Sequence, residues 1–301
     1  MPATNQIQKR KKHPGLYIAF EGIDCTGKST QIQRLKRWLE LEGYLSFVTH
    51  EPGDSECALS EKIRNLLLDP ENKINPRTEA LLFAASRAQA IPESIAPHLK
   101  NGEVVLSDRS VYSSLAYQGK GRKLASDYLY SQVVMGNSGH AALIHDPLLV
   151  FNHWAIHGLY PDLTFYLRLP YEEMIKRKEQ RGIPTDRIEA EQRDFYEKTI
   201  SGFDGLARSL SNFVIIDASK TEIEVFQDIV NVLRQVIGGF ILTSTITPAP
   251  QPKLEKKVYR TALDYAKMGP AGAHLELADD GEVPEEETTV DVDALDVDLN
   301  F

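Results

Sequence analysis

Nine consecutive residues, Gly22-Ile23-Asp24-Cys25-Thr26-Gly27-Lys28-Ser29-Thr30, carry the densest chemical signal in this 301-residue chain. Their Gly-x4-Gly-Lys-Ser spacing is that of a phosphate-binding loop. Glycines let backbone N–H groups curl around phosphate oxygens, and the start of the helix that follows adds roughly half a positive charge. Lys28 can then reach a transferred phosphoryl group, and the Ser29 hydroxyl can bind Mg2+. A second pair, Asp108-Arg109, closes an apolar run. A carboxylate there can hold the water shell of Mg2+, and the guanidinium beside it can fork onto another phosphate. The chemistry indicated is phosphoryl handling on a nucleotide. A guanine-specific switch is disfavoured, because the nearest string to Asn-Lys-x-Asp is Asn72-Lys73-Ile74-Asn75, which lacks the carboxylate for the guanine edge.

These residues need a scaffold that delivers them to one edge. Leu16–Phe20 is a short apolar run before the loop, and the residues from Ser29 to Leu39 place apolar side chains at helical spacing, giving strand, glycine turn, helix. Ser46–Thr49, Val104–Ser107, Leu163–Leu169 and Phe213–Ile216 read as further strands. Helices are predicted over about Glu56–Leu68, Arg77–Gln89, Tyr171–Arg181, Arg187–Leu210 and Glu222–Ile237. Strands alternating with helices predict an α/β fold, a doubly wound five-stranded parallel sheet of the P-loop NTPase type, with its site at the carboxyl ends of the strands.

Composition narrows the class. The chain is 42% hydrophobic, with no apolar run long enough to span a membrane, and its first thirteen residues are polar and basic. Two cysteines, Cys25 and Cys57, are too few for a disulfide scaffold or a four-thiolate zinc site, so a cytoplasmic protein is expected. The net charge of −9 is unevenly spread: residues 251–301 hold thirteen acidic and five basic residues, and residues 1–250 are near neutral. A phosphate site in the body therefore faces no general repulsion. The reading divides the chain into a basic extension (1–13), a folded unit (14–242) and a linker with an acidic tail (243–301).

Several motifs in register then carry a resemblance over about residues 14–240. They are Phe20-Glu21-Gly22-Ile23-Asp24 with Gly27-Lys28-Ser29-Thr30, Glu51-Pro52-Gly53, Leu82-Phe83-Ala84-Ala85-Ser86-Arg87, and Asp108-Arg109-Ser110. To these are added Ser113-Ser114-Leu115-Ala116-Tyr117-Gln118-Gly119, Pro161-Asp162-Leu163-Thr164 and Asp186-Arg187-Ile188-Glu189. On these residues the chain resembles the thymidylate kinase family. The resemblance implies ATP as phosphoryl donor, Mg2+ held by Ser29 and Asp108, dTMP as acceptor, and a homodimer. It implies that Phe83 stacks on thymine and Arg87 bonds its edge, that Ser114 and Gln118 contact the base, that Tyr117 crowds the sugar's 2′ position, and that Asp24 binds the 3′-hydroxyl. Lys28 and Arg109 would act on phosphate. Some members place a further arginine in the loop at the position of Cys25, so here the lid Lys176–Arg187 would have to supply it, through Arg181 and Arg187. The alternatives are a kinase for another deoxypyrimidine monophosphate, or a nucleotide-binding adaptor without transfer activity.

Three departures stand out. His50 precedes Glu51-Pro52-Gly53 where many bacterial relatives have arginine, and a histidine makes no bidentate phosphate contact. The stretch from Ala125 to Phe151 is long; it and its surroundings hold His140, His145, His153 and His157, the last two at i, i+4 spacing, although ordinary histidines are favoured over a metal site. The tail ends Asp296-Val297-Asp298-Leu299-Asn300-Phe301, similar to the C-terminal tips of bacterial single-stranded-DNA-binding proteins, and reads as a solubilising segment or a docking segment for a protein partner.

Overall fold

The computed structural model of the protein describes residues 14–125, 146–182 and 185–241. The basic extension, His140, His145 and the acidic tail lie outside the described residues.

Five strands form one wholly parallel sheet: β1 (Leu16–Glu21), β2 (Ser46–His50), β3 (Val104–Asp108), β4 (Leu163–Arg168) and β5 (Phe213–Asp217). Their order across the sheet is β2-β3-β1-β4-β5. All six residues of β1 are buried, as a central strand covered on both faces must be. Register then fixes the edge where chemistry can occur. Phe20 pairs with Asp108 and His50 with Asp108, so β1, β2 and β3 end together and their following loops converge.

The helices are α1 (Lys28–Leu41), α2 (Ala58–Leu68), α3 (Pro76–Ala90), α4 (Ala96–Lys100), α5 (Val111–Ser114), α6 (Pro147–Ala155), α7 (Tyr171–Arg181), α8 (Arg193–Ser209) and α9 (Glu222–Ile241). Wider π-type turns carry the chain through Ile91–Ile95 and Leu115–Gly121. Proline is at the start of α3, and the Asn75 side chain accepts the Arg77 amide at 3.0 Å, so this helix begins on a cap and a pre-set φ together.

Two elements depart most from the sequence expectation. The helix expected from Arg187 begins at Arg193, because the Asp186 carboxylate accepts the amides of Ile188 and Glu189 at 2.8 Å and closes a separate turn; Gln192 then stays extended as the cap. Helix α6, which periodicity did not mark, is started by Asp146 accepting the Leu148 amide at 2.9 Å, with Pro147 behind it. It ends at Ala155, so His157, in a left-handed turn, does not share a helix with His153, whose Nδ1 lies 2.9 Å from the Tyr160 hydroxyl. Among the described residues no three His, Cys, Asp or Glu side chains group as a metal site. No described helix is long and apolar enough to cross a membrane.

Packing of α8 on the Leu115–Gly121 turn is close enough to demand glycine. A Cβ on Gly121 would stand 2.7 Å from the Phe195 ring and 2.8 Å from the Thr199 hydroxyl. Phe195 and Thr199 are themselves buried and cannot swing away cheaply. Gly121→Ala should therefore lower unfolding free energy by ~1–3 kcal/mol in urea titration; an unchanged midpoint and slope would show that the turn is slack.

Candidate active site

The loop between β1 and α1 is shaped by glycine at two positions of positive φ. Gly22 has φ 138°, and a Cβ there would lie 2.5 Å from the Leu167 carbonyl on β4. Gly27, at φ 88°, turns the chain into α1. Lys28 then opens the helix. Its ammonium is buried and donates to the carbonyls of Gly22 (3.4 Å) and Ile23 (3.0 Å). Burial and the neighbouring Arg109 lower its pKa, against the pull of Asp108, Asp24 and Glu21. Thr26 ties the loop to itself through the Ile23 carbonyl at 3.2 Å.

Arg109, at φ 76°, follows the end of β3 and is folded back over the loop. It donates to the Gly22 carbonyl (2.8 Å), the Asp24 carboxylate (2.6 Å) and the Ser113 hydroxyl (3.4 Å), with its guanidinium carbon 4.9 Å from the Tyr117 ring centre. Asp24 also accepts the Tyr196 hydroxyl at 2.9 Å. Burial opposes ionisation of Asp24, but Arg109, Lys28 and Tyr196 outweigh it and hold its carboxyl below the ordinary range. The Ser29 hydroxyl donates to Asp108 at 2.7 Å. A hydroxyl and a carboxylate at that separation suit a hard cation that keeps most of its waters, so the pair fits Mg2+.

Behind Arg109 lies a carboxylate to which the sequence reading gave no separate role. Glu21 has no exposed surface and accepts Ser110 at 2.7 Å and Ser113 at 2.6 Å. Burial, opposed by the two hydroxyls and by Arg109, pushes it up to about 7.

The acceptor-side residues collect on α3 and the turn after β3. Phe83 is half-buried and stands outside the hydrophobic core, so it is not a core aromatic. Arg87, one turn on, is fully buried and donates to Glu51 (2.7 Å), Asn152 (2.6 Å), Ser114 (3.2 Å) and the Ser110 carbonyl (3.5 Å). Four of its five N–H groups are thus used in holding α3, α6 and the Ser110–Ser114 turn together. Among the described residues the buried Tyr117 hydroxyl has no hydrogen bond of good geometry, with Arg109 as its nearest charged neighbour. Gln118 and Arg122 both donate to Glu79 on α3.

The two lid arginines part company. Arg181 pairs with Glu189, and its charge reaches Cys25 and Asp24, on the loop. Arg187 instead donates to the Leu67 carbonyl (2.8 Å) and Glu79 (2.7 Å), on the acceptor side. Among the cations of the lid run, the one hydrogen-bonded to the phosphate loop is Arg177, at 3.4 Å from the Cys25 carbonyl and 2.7 Å from that of Ala218. Nothing in the sequence separated it from its neighbours in the lid's charge run. His50 bonds Glu61 at 2.8 Å, while Arg64 reaches the Pro52 carbonyl at 2.6 Å, bringing a cation to the turn where His50 stands for arginine.

A pH experiment isolates Glu21. Its folded-state pKa is raised, so folding takes up a proton between the ordinary 4.5 and about 7. The stability linked to it is present below pH 4.5 and is lost as pH rises through 7. Glu21→Gln is neutral throughout. Its unfolding free energy should gain on the wild type between about pH 5 and about pH 8, by up to about 3 kcal/mol; a difference that is flat with pH would contradict a buried, proton-binding carboxyl.

Comparisons with known proteins identify the family. The family model described as thymidylate kinase matches residues 20–136 and 149–229. A thymidylate kinase of Thermoanaerobacter sp. (strain X514) is 38% identical over 224 residues, covering 74% of this chain and 99% of the relative. One from Finegoldia magna is 39% identical over 221 residues (73% and 98%), and one from Thermosipho africanus 37% over 220 (73% and 98%). The matched stretches carry the phosphate loop, the α3 stripe, Asp108-Arg109 and the lid, and the chain belongs to the thymidylate kinase family.

Proposed function

We propose that the protein transfers the γ-phosphoryl group of ATP to dTMP, giving ADP and dTDP. The observation that carries this is the segment Asp108–Gln118. Its first residues lie on the phosphate loop, through Ser29–Asp108 and Arg109–Gly22, and its last ones on α3 beside Phe83. One short piece of chain thus joins a donor site to an acceptor wall.

In this reading Lys28 and the loop amides hold the donor phosphates, and Arg109 faces the phosphates between donor and acceptor. Mg2+, bound by Ser29 and through water by Asp108, would neutralise charge on the donor phosphates. Asp24 orients Arg109 and meets the deoxyribose, and Tyr117 walls the sugar. The acceptor phosphate is already ionised at neutral pH, so no general base is needed; catalysis is positioning and charge neutralisation. Arg181 and Arg177, on the loop side, supply the lid's positive charge, whereas Arg187 acts from the acceptor side through Glu79.

We extend the proposal to a cytoplasmic homodimer whose kinase unit spans 14–242. Leu59, Ile63 and Leu66 form an apolar stripe on α2, with Leu59 and Leu66 about half exposed, a face suited to a second copy. The acidic stretch within 243–301 is proposed to dock a protein partner.

The direct test is ATP-dependent ADP release against a panel of nucleoside monophosphates. Turnover should be greatest with dTMP; greatest turnover with another monophosphate would replace the acceptor, and none with any would leave a binding protein. On the same assay Phe83→Ala should raise the dTMP KM by roughly 5- to 100-fold with the ATP KM unchanged, since base stacking is worth ~1–3 kcal/mol. Equal losses at both substrates would make Phe83 structural. Arg181→Ala should cut kcat more than it raises either KM, and more than Cys25→Ala does. Arg187→Ala should act chiefly on the dTMP KM; a pure kcat loss there would return it to the phosphates.

A further inference from the structure

Helix α3 turns a single stripe toward the acceptor side: Glu79, Phe83 and Arg87 at i, i+4 and i+8. The turn after β3 answers with Ser114 and Gln118. The two meet as an antiparallel pair of contacts, Glu79 with Gln118 at 2.9 Å and Arg87 with Ser114 at 3.2 Å. The half-buried Phe83 lies between these two buried polar contacts. The ring therefore has a group that only donates at one end of its stripe, Arg87, and a group that only accepts at the other, Glu79.

Glu79 has no exposed surface, and its two oxygens are filled. Oε1 accepts Gln118 and Arg122 (3.1 Å), and Oε2 accepts Arg122 (3.0 Å) and Arg187 (2.7 Å). Burial works against its charge, but the bonds from Arg122, Gln118 and Arg187 prevail and hold its carboxyl below the ordinary range. An ionised carboxylate has no proton to give. The nitrogen of the Gln118 amide must consequently face Glu79, and its Oε1 must face away. Among the described residues no donor is recorded on that Oε1.

We propose that Glu79 is a specificity-determining positioning residue, which locks the Gln118 amide so that its carbonyl oxygen is the group offered to the base. The proposal rests on the reading of Phe83 and Gln118 as the base site. An acceptor from Gln118 together with the remaining N–H of Arg87 is complementary to a pyrimidine that carries an N3–H beside a 4-carbonyl, as thymine and uracil do. Cytosine presents the reverse pattern, an unprotonated N3 beside a 4-amino group. Were Gln118 free to turn over, its amide could satisfy either edge, and the site would lose its main polar distinction between them. Glu79 touches no substrate atom in this scheme; it acts through Gln118. The two contacts it makes with Arg122 and Arg187 keep it charged, which keeps the lock one-sided.

The test is calorimetric binding of dTMP and dCMP to the full chain, as wild type, Glu79→Gln, Gln118→Ala and Phe83→Ala, with thermal unfolding measured on each. In Glu79→Gln the new amide can donate as well as accept, so Gln118 is released. The preference for dTMP over dCMP should fall by about 10- to 100-fold, the range expected for one misdirected base-edge contact. A preference retained in folded Glu79→Gln, or two affinities weakened by the same factor, would overturn the proposal. If Glu79→Gln does not fold, Gln118→Ala decides: loss of the preference supports the lock, and its retention overturns it. A wild type with no preference for dTMP, or Phe83→Ala with both affinities intact, would overturn the base-site reading itself and the lock with it.

Discussion

Two cations, a buried Lys28 and a half-buried Arg109, stand together at the end of a parallel sheet, and the rest of the structure answers that fact. Burial and the neighbouring Arg109 lower the pKa of Lys28, whereas the carboxyl groups around Arg109 hold its charge. The carboxyl groups of Glu21, Asp24 and Asp108 are arranged around them and offset part of that charge. Phosphate oxygens entering the site would meet positive charge that is already desolvated and already oriented, the condition under which electrostatic stabilisation costs no reorganisation during the reaction. The fold requirement follows directly: β1 and β3 must be neighbours ending level, as Phe20 and Asp108 do. Gly22 must lack a side chain to let the loop pass β4.

The same segment that places Arg109 also meets α3, the wall proposed for the acceptor. Ser110 and Ser113 bond Glu21, Ser114 bonds Arg87, and Gln118 bonds Glu79, so its polar contacts pass from the phosphate-loop side to α3 along a short piece of chain. Gly121, at its end, lets α8 press against it, and α8 in turn brings Tyr196 to Asp24. A displacement on either side is thereby felt on the other through short, buried bonds rather than through a long loop.

The five strands were legible because each is a short run rich in apolar residues and bounded by turns; β1, β3 and β4 are buried almost throughout, and the edge strands β2 and β5 are covered less completely. The phosphate loop was legible because its glycines and lysine are required by backbone geometry. What sequence could not supply was the partner of each charge. Arg87 was expected at a base edge, yet most of its donors are spent on Glu51, Asn152 and the Ser110–Ser114 turn. Asn152 stands on a helix that periodicity had not marked. Arg177 and Arg187 belong to one charge run in the sequence, but the turn closed by Asp186 carries them to opposite sides of the site. Nothing in the sequence singles out Glu79 in the first turn of α3; only the fold brings Gln118, Arg122 and Arg187 onto it.

The measurement that bears most directly on this electrostatic arrangement is the steady-state turnover of Arg109→Ala with ATP, Mg2+ and dTMP, taken on protein shown by thermal melting to unfold cooperatively. If positioned charge does the chemistry, kcat should fall by at least about 10^2-fold, in line with losses seen when a preorganised charge is removed from a transition state. Near-wild-type turnover in a folded Arg109→Ala would contradict it.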